Sequence, residues 1–309
     1  MKRGVVLLAL VTLGAFSLVV AGYQGPPAGP SAAALQATKI EKVKDNLYII
    51  TGSSDPAAFS GGNTAVFITD AGVVLVDTKL PGWGPTILDR VKTVTNKPVT
   101  TIINTHSHND HTGSNESFPA SVDSVVHENT KVNMSKMDEF RGEKARALPK
   151  RTFKDKLSIG KGEDQIDLYY FGRGHTNGDT LIVFPALRTM HAGDLFPQKQ
   201  LPLVDTMNGG SLVDYPQTLA KAVAGISNVD TVIPGHRQIA TWNEFKEYAA
   251  FTKDLSDFAR NAMNAKKTVA QAAAEYKVPA KYTGYVVTID PQLVSAERIL
   301  QIAYDEMKK

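Results

Sequence analysis

Cysteine is absent from all 309 residues, so the chain can form no disulfide, offers no thiol for lipid attachment, and excludes thiolate from any metal site. Blocks of like charge are absent too: 34 Lys and Arg against 31 Asp and Glu leave a formal charge of +3, with the two signs interspersed. That interspersion argues against a nucleic-acid partner. There is no low-complexity tract and no repeat of short period. Tryptophan occurs only at positions 83 and 242, and both are read as core or surface cover rather than substrate platforms. What remains is 42% apolar, enough to fill one sizeable core. A long apolar run stands near the N-terminus, Gly4 to Ala21, behind Met1-Lys2-Arg3 and ahead of the turn-rich Gly22-Tyr23-Gln24-Gly25-Pro26-Pro27. Basic, apolar, then small residues is the order of a secretory signal, so residues 1–22 are expected to be a signal peptide or, if uncleaved, an N-terminal anchor. The protein is accordingly expected to be periplasmic or secreted. Residues 23–37, rich in Pro, Gly, Ala and Ser, read as a flexible spacer ahead of a single domain over 38–309.

Within that domain, β-type runs from Ile40 to Thr51, Thr64 to Thr69 and Val73 to Asp77 come first, the last two separated by the turn signal Asp70-Ala71-Gly72. Helical spacing over Pro85 to Val94 and a strand from Val99 to Asn104 follow. Further strands are predicted at Ile166 to Phe171, Thr180 to Phe184, Thr189 to Ala192 and Thr231 to Ile233. Helices are predicted at Tyr215 to Ala224, Asn243 to Asn264, Val269 to Tyr276 and Pro291 to Lys308. Strands followed by helices, twice over, suggest two packed sheets with helices outside.

Five of the seven histidines fall into a ligand pattern. His106-Ser107-His108-Asn109-Asp110-His111 places three imidazoles and a carboxylate within six residues, directly after a β-run. His175 in Gly174-His175-Thr176, Asp194 in Gly193-Asp194 and His236 in Gly235-His236 each stand at the end of a later β-run. Seven such groups suffice for two divalent ions, and neutral imidazole with carboxylate suits zinc, iron or manganese. Asp77, Asp179 and Thr105 are candidates for orienting the imidazoles by accepting their other N–H. The Ser53 to Asn63 and Gln198 to Val213 loops are candidate substrate walls. His127 and His191 read as structural.

Taken together, His-x-His-x-Asp-His, Gly-His-Thr, Gly-Asp and Gly-His, in that order and with domain-sized gaps, resemble the metallo-β-lactamase superfamily over residues 38 to 250. The resemblance implies an α/β fold, an αββα sandwich of two mixed β-sheets with helices on the outer faces. It further implies that His106, His108 and His175 hold one ion, that Asp110, His111 and His236 hold a second, and that Asp194 bridges them, two Zn²⁺ being expected and Fe or Mn possible. The carboxylate at the Gly-Asp motif and His111 depart from the best-known β-lactamase subclass and are closer to glyoxalase II and lactonases. The expected activity is hydrolysis of an acyl C–N, C–O or C–S bond of a small molecule by a metal-bridging hydroxide, with Asp110 both ligating and orienting that hydroxide. A net positive centre would favour an anionic substrate. The alternative is a mononuclear iron oxygenase acting on persulfides, against which the complete second set of Asp110, His111 and His236 argues.

Overall fold

The computed structural model describes residues 29–53, 55–288 and 294–308; the expected export signal and the first half of the spacer lie outside them. Thirteen strands and eight α-helices alternate along these residues. The first sheet contains β1 (Ile40–Lys44), β2 (Leu47–Ile50), β3 (Thr64–Ile68), β4 (Val73–Val76), β5 (Val99–Ile103), β6 (Asp123–His127) and β7 (Arg151–Phe153), in that spatial order. The second contains β8 (Lys156–Ile159), β9 (Ile166–Tyr169), β10 (Leu181–Phe184), β11 (Thr189–Gly193), β12 (Thr231–Pro234) and β13 (Ala240–Thr241), again in sequence order across the sheet. Both are mixed: β1 to β4 pair antiparallel and β4 to β7 parallel, while β11 and β12 are the parallel pair of the second sheet. The helices are α1 (Ala32–Ala37), α2 (Gly84–Lys92), α3 (Asn109–Thr112), α4 (Glu128–Met134), α5 (Tyr215–Gly225), α6 (Trp242–Asn264), α7 (Val269–Glu275) and α8 (Ala296–Met307).

Side-chain alternation explains the layering. On β4, Val74 and Val76 join Leu47, Phe67 and Ile103 in a core shared with Ile166, Leu168, Ile182, Phe184 and Ile233 of the other sheet. Their neighbours Val73 and Leu75 point the opposite way, against Trp83, Ile87 and Val91 of the α2 region. A strand covered on both faces has no use for polar residues, and all four positions of β4 are buried. The outer face of the second sheet is roofed by α5 to α8, whose Leu219, Phe245, Tyr248, Phe251 and Ile299 pack on Leu181, Val183, Met190 and Val232. The result is the four-layer αββα sandwich.

Several sequence expectations change in detail. The run Ile40 to Thr51 is two strands, because Asn46 adopts a left-handed backbone (φ 59°) and folds β1 back on β2. Residues 32–37, read as part of a spacer, form α1. Alanine has the highest helix propensity, the Ser31 hydroxyl caps the Ala34 amide at 3.1 Å, and Ala34 is buried beside Trp83 and Ile87. The last helix begins at Ala296, with Ser295 as its cap; the start expected for it at Pro291 lies outside the described residues.

Candidate metal centre

All seven sequence-predicted groups converge at one edge of the sandwich. His106 and His108 lie on the loop leaving β5, and α3 carries Asp110 and His111. His175 follows β9, Asp194 follows β11, and His236 follows β12. The donor atoms form two clusters, His106, His108, His175 and Asp194, and Asp110, His111 and His236, with the atoms of each within 4.8 Å of one another. Asp194 touches both. Its Oδ2 lies 3.8 Å from His175 Nε2 and 3.3 Å from His236 Nε2, and its Oδ1 lies 3.4 Å from His111 Nε2. Glycine is required where the walls meet: a methyl group at Gly235 would collide with Asp194 Oδ1, and one at Gly62 with the His111 ring.

Hydrogen bonds outside the clusters fix which nitrogen of each imidazole carries its proton. Asp77 accepts from His111 Nδ1 at 2.7 Å and from the Thr105 hydroxyl at 2.8 Å. With its one proton so committed, Thr105 Oγ1 accepts from His106 Nδ1 at 3.0 Å. The Leu203 carbonyl accepts from His175 Nδ1 at 2.8 Å, and Asp205 accepts from His108 Nε2 at 2.7 Å. Each of the four rings therefore turns its other nitrogen inward. Two of these nitrogens, His175 Nε2 and His108 Nδ1, face each other at 3.0 Å. Such a pair repels unless a proton or a metal cation stands between them. His106 Nε2 and Asp194 Oδ1 are buried with no hydrogen-bond partner. A buried, convergent set of imidazole nitrogens and carboxylate oxygens fits a divalent ion.

The titration behaviour has the same origin. Burial, reinforced by the neighbouring imidazoles, drives His106 well below the ordinary histidine range and His175 to about 4, so both are neutral bases. Burial acts in that direction on His236 also, but Asp194 and Asp110 outweigh it and raise His236 to about 9. The imidazoles of His111 and His236 in turn overcome the burial of Asp110 and hold its carboxyl at about 2. In the second cluster protons thus occupy the place of a cation among carboxylates. Solvent reaches the centre through His108, His236 and Asp110, whose side chains are 25%, 24% and 17% exposed.

Sequence reasoning anticipated Asp77 and Thr105 correctly. Asp179 instead shapes the turn that presents His175, accepting from the Thr176 amide and hydroxyl. Asp205 was missed. It lies in the Gln198 to Val213 loop read as a substrate wall, where it caps the Met207 and Asn208 amides as well as holding His108. An aspartate three residues ahead of an Asn-Gly pair was the available signal. His127 and His191 are structural: the first donates to the Lys154 carbonyl and stacks on Tyr170, and the second is fully buried beside the Asn63 carbonyl. On the rim, Phe59 stacks on His236 with ring centroids 5.8 Å apart. Deep below, the buried Lys79 ammonium donates to the Thr51 and Gly62 carbonyls at 2.9 and 2.7 Å, joining both stems of the loop that carries Phe59.

Residues 58–236 match the family model of the metallo-beta-lactamase superfamily. The chain is 28% identical over 207 residues to a metallo-beta-lactamase type 2 of Elizabethkingia meningoseptica, covering 64% of this chain and 78% of that protein. It is 25% identical to metallo-beta-lactamase IND-1 of Chryseobacterium indologenes, over 63% of this chain and 80% of that one. Among solved structures, a metallo-beta-lactamase from Pontibacter korlensis superposes with a TM-score of 0.60 at 21% identity, over 70% of this chain and 99% of that chain. A sec-alkylsulfatase from Pseudomonas sp. gives 0.72 at 15% identity, over 91% of this chain and 53% of that chain, a likeness of fold.

Proposed function

The chain belongs to the metallo-beta-lactamase superfamily and is a metal-dependent hydrolase, and from that premise we propose that it is an exported dinuclear-zinc enzyme cleaving an acyl C–N, C–O or C–S bond of a small molecule, a β-lactam, lactone or thioester. The observation that carries the reading is the convergence of inward-facing imidazole nitrogens, with His175 and His108 opposed at 3.0 Å and Asp194 reaching both clusters. In this reading His106, His108 and His175 would hold one zinc and Asp110, His111 and His236 the other, with Asp194 within reach of both. Two divalent ions so held would supply Lewis acidity and bring the pKa of bound water from about 15.7 towards 7.

The chain's own residues do the rest. Asp77, Thr105, Leu203 and Asp205 hold the imidazoles rigid, so that the centre needs little reorganisation during the reaction. Asp110, on the solvent side of its cluster, is placed to accept a hydrogen bond from the attacking water and orient it. The three neutral imidazoles bring no charge to the first position, which leaves its electrophilicity for the scissile carbonyl. The complete Asp110, His111 and His236 set supports hydrolysis over mononuclear iron chemistry. Assay of the zinc-loaded protein against nitrocefin, an acyl-homoserine lactone and S-lactoylglutathione tests this: turnover of at least one is expected. Failure of all three, with oxygen consumed by iron-loaded protein and a persulfide, would overturn it.

A further inference from the structure

The loop from Leu201 to Val213 grips His175 from several directions. Its Leu203 carbonyl accepts from His175 Nδ1 at 2.8 Å, the Asp205 amide donates to the His175 carbonyl at 2.8 Å, and the Ser211 amide donates to the carbonyl of Gly174 at 2.9 Å. The fit is close: a methyl group at Gly210 would collide with the His175 carbonyl. Asp205 of the same loop also holds His108. Two of the three imidazoles of the first cluster therefore take their setting from this loop.

One flank of the loop is braced by amide side chains, Asn133 Nδ2 donating to Asn177 Oδ1 at 2.8 Å and to the Asn208 carbonyl at 3.3 Å. The other flank is held by Glu306 of α8, across 95 positions of sequence. Glu306 Oε2 accepts from the Ser211 hydroxyl at 2.6 Å and from the Val213 amide at 3.2 Å, and Oε1 accepts from the Leu212 amide at 3.1 Å. Ser211 Oγ in turn accepts from the Asp214 amide at 3.0 Å, so the carboxylate closes the turn that leads into α5. Free amides at the start of a helix carry partial positive charge, which favours a carboxylate there.

Packing alone does not account for Glu306. Ser295 caps α8, and Ile299 and Ala303 are buried in the core that also contains Leu201, Val204 and Leu212 of the loop. Glu306 continues that stripe at the i, i+4, i+7 spacing of one helix face, where a helix that only packed would carry another apolar side chain. A half-buried carboxylate there costs desolvation, which its hydrogen bonds to the loop offset.

We infer that Glu306 is a positioning residue for the first cluster: from α8 it fixes the Leu201 to Val213 loop, and through that loop the setting of His175 and His108. The inference rests on the reading of His106, His108 and His175 as the ligands of one zinc, and makes that position depend on α8. His111 of the second cluster is held by Asp77 instead.

Two measurements test it. Zinc is titrated into full-length protein in competition with a chelator, while the ring resonances of selectively labelled histidines report each position separately. In Glu306→Ala the midpoint read by His108 and His175 is expected to weaken about tenfold, the lower end for loss of an outer partner because Asn133 still braces the other flank, and the midpoint read by His111 and His236 by less than about twofold. Hydrogen exchange on metal-free protein needs no zinc: the Asp205 and Ser211 amides should exchange about tenfold faster in Glu306→Ala, relative to the Val183 amide of β10. Glu306→Gln, which keeps an acceptor oxygen and loses the charge, should show both effects at smaller size, and serves should the alanine variant not fold. Unchanged affinity at His108 and His175, equal weakening at both positions, or unchanged exchange at Asp205 and Ser211 would each overturn the assignment. If the parent binds no zinc, the reading of the centre fails, while the exchange comparison still decides whether Glu306 holds the loop.

Discussion

Removing Asp205 tests the claim that proton placement outside the centre prepares the nitrogens within it. Asp205→Ala deletes the 2.7 Å acceptor of His108 Nε2–H, and with it the reason for Nδ1 to be the bare nitrogen. The ring becomes free to rotate or to exchange tautomers, so zinc bound by His106, His108 and His175 is expected to weaken 10- to 100-fold, about 1.4 to 2.7 kcal/mol. The same truncation removes the acceptor for the Met207 and Asn208 amides, at 2.9 and 3.2 Å, and for Asn208 Nδ2 at 2.6 Å. These groups are partly open to water, which can replace the lost partner, so the structural cost is about 1 to 2 kcal/mol, in the range of a lost helix cap. Competition with a chromophoric chelator reads the first effect, and chemical denaturation of metal-free protein reads the second. Asp205→Asn, which keeps the shape and removes the charge, should fall between wild type and alanine in both. Zinc affinity of Asp205→Ala within twofold of wild type would refute the proposed division of labour, since the imidazole would then be oriented by something else.

Three further outcomes are expected. His111→Ala should strip the metal of the second cluster and lower turnover at least tenfold, checked by elemental analysis alongside rate; unchanged metal content and rate would remove His111 from the centre. Gly235→Ala forces a methyl group into Asp194 Oδ1 and should destabilise the fold by about 1 to 3 kcal/mol while lowering metal content, checked by melting and elemental analysis; normal values for both would show that the two strand ends do not meet as closely as described. Lys79 has a pH signature. Burial lowers it from 10.5 to about 7 despite the opposing pull of Asp77 and Asp110. The unfolded chain therefore holds more protons between those two values, and stability should climb with pH across that window, by at most about 1.4 kcal/mol per unit, and be lost as pH falls through the lower one. Denaturation at pH 7 and 9 should show this climb in wild type and a flatter response in Lys79→Met; equal slopes would contradict it.

The seven centre residues were readable in the sequence because all of them sit in short Gly- or His-rich motifs at the ends of β-runs, where an α/β fold collects its loops. Asp77 and Thr105 were readable by adjacency to those motifs. Asp205 was not, since it meets His108 across 97 positions of sequence, a contact that no local pattern encodes. Strands β6 to β8 also escaped notice. β6 opens with Asp123 and Ser124 and ends in His127, and β8 alternates exposed and half-buried positions over four residues, so neither gives the continuous apolar run that marked β4.

Each cluster draws donors from both halves of the molecule: His106 and His108 enter from the first sheet and His175 and Asp194 from the second, as Asp110 and His111 do opposite His236. Cations lodged there would act as rivets across the seam between the sheets. Because a ligand that binds only the native state adds RT ln(1 + [L]/Kd) to its stability, scarcity of metal would loosen the seam before any outer helix is disturbed. Resistance to proteolysis should then track zinc supply, so that the lifetime of the protein, as well as its rate of turnover, reports how much metal its surroundings provide.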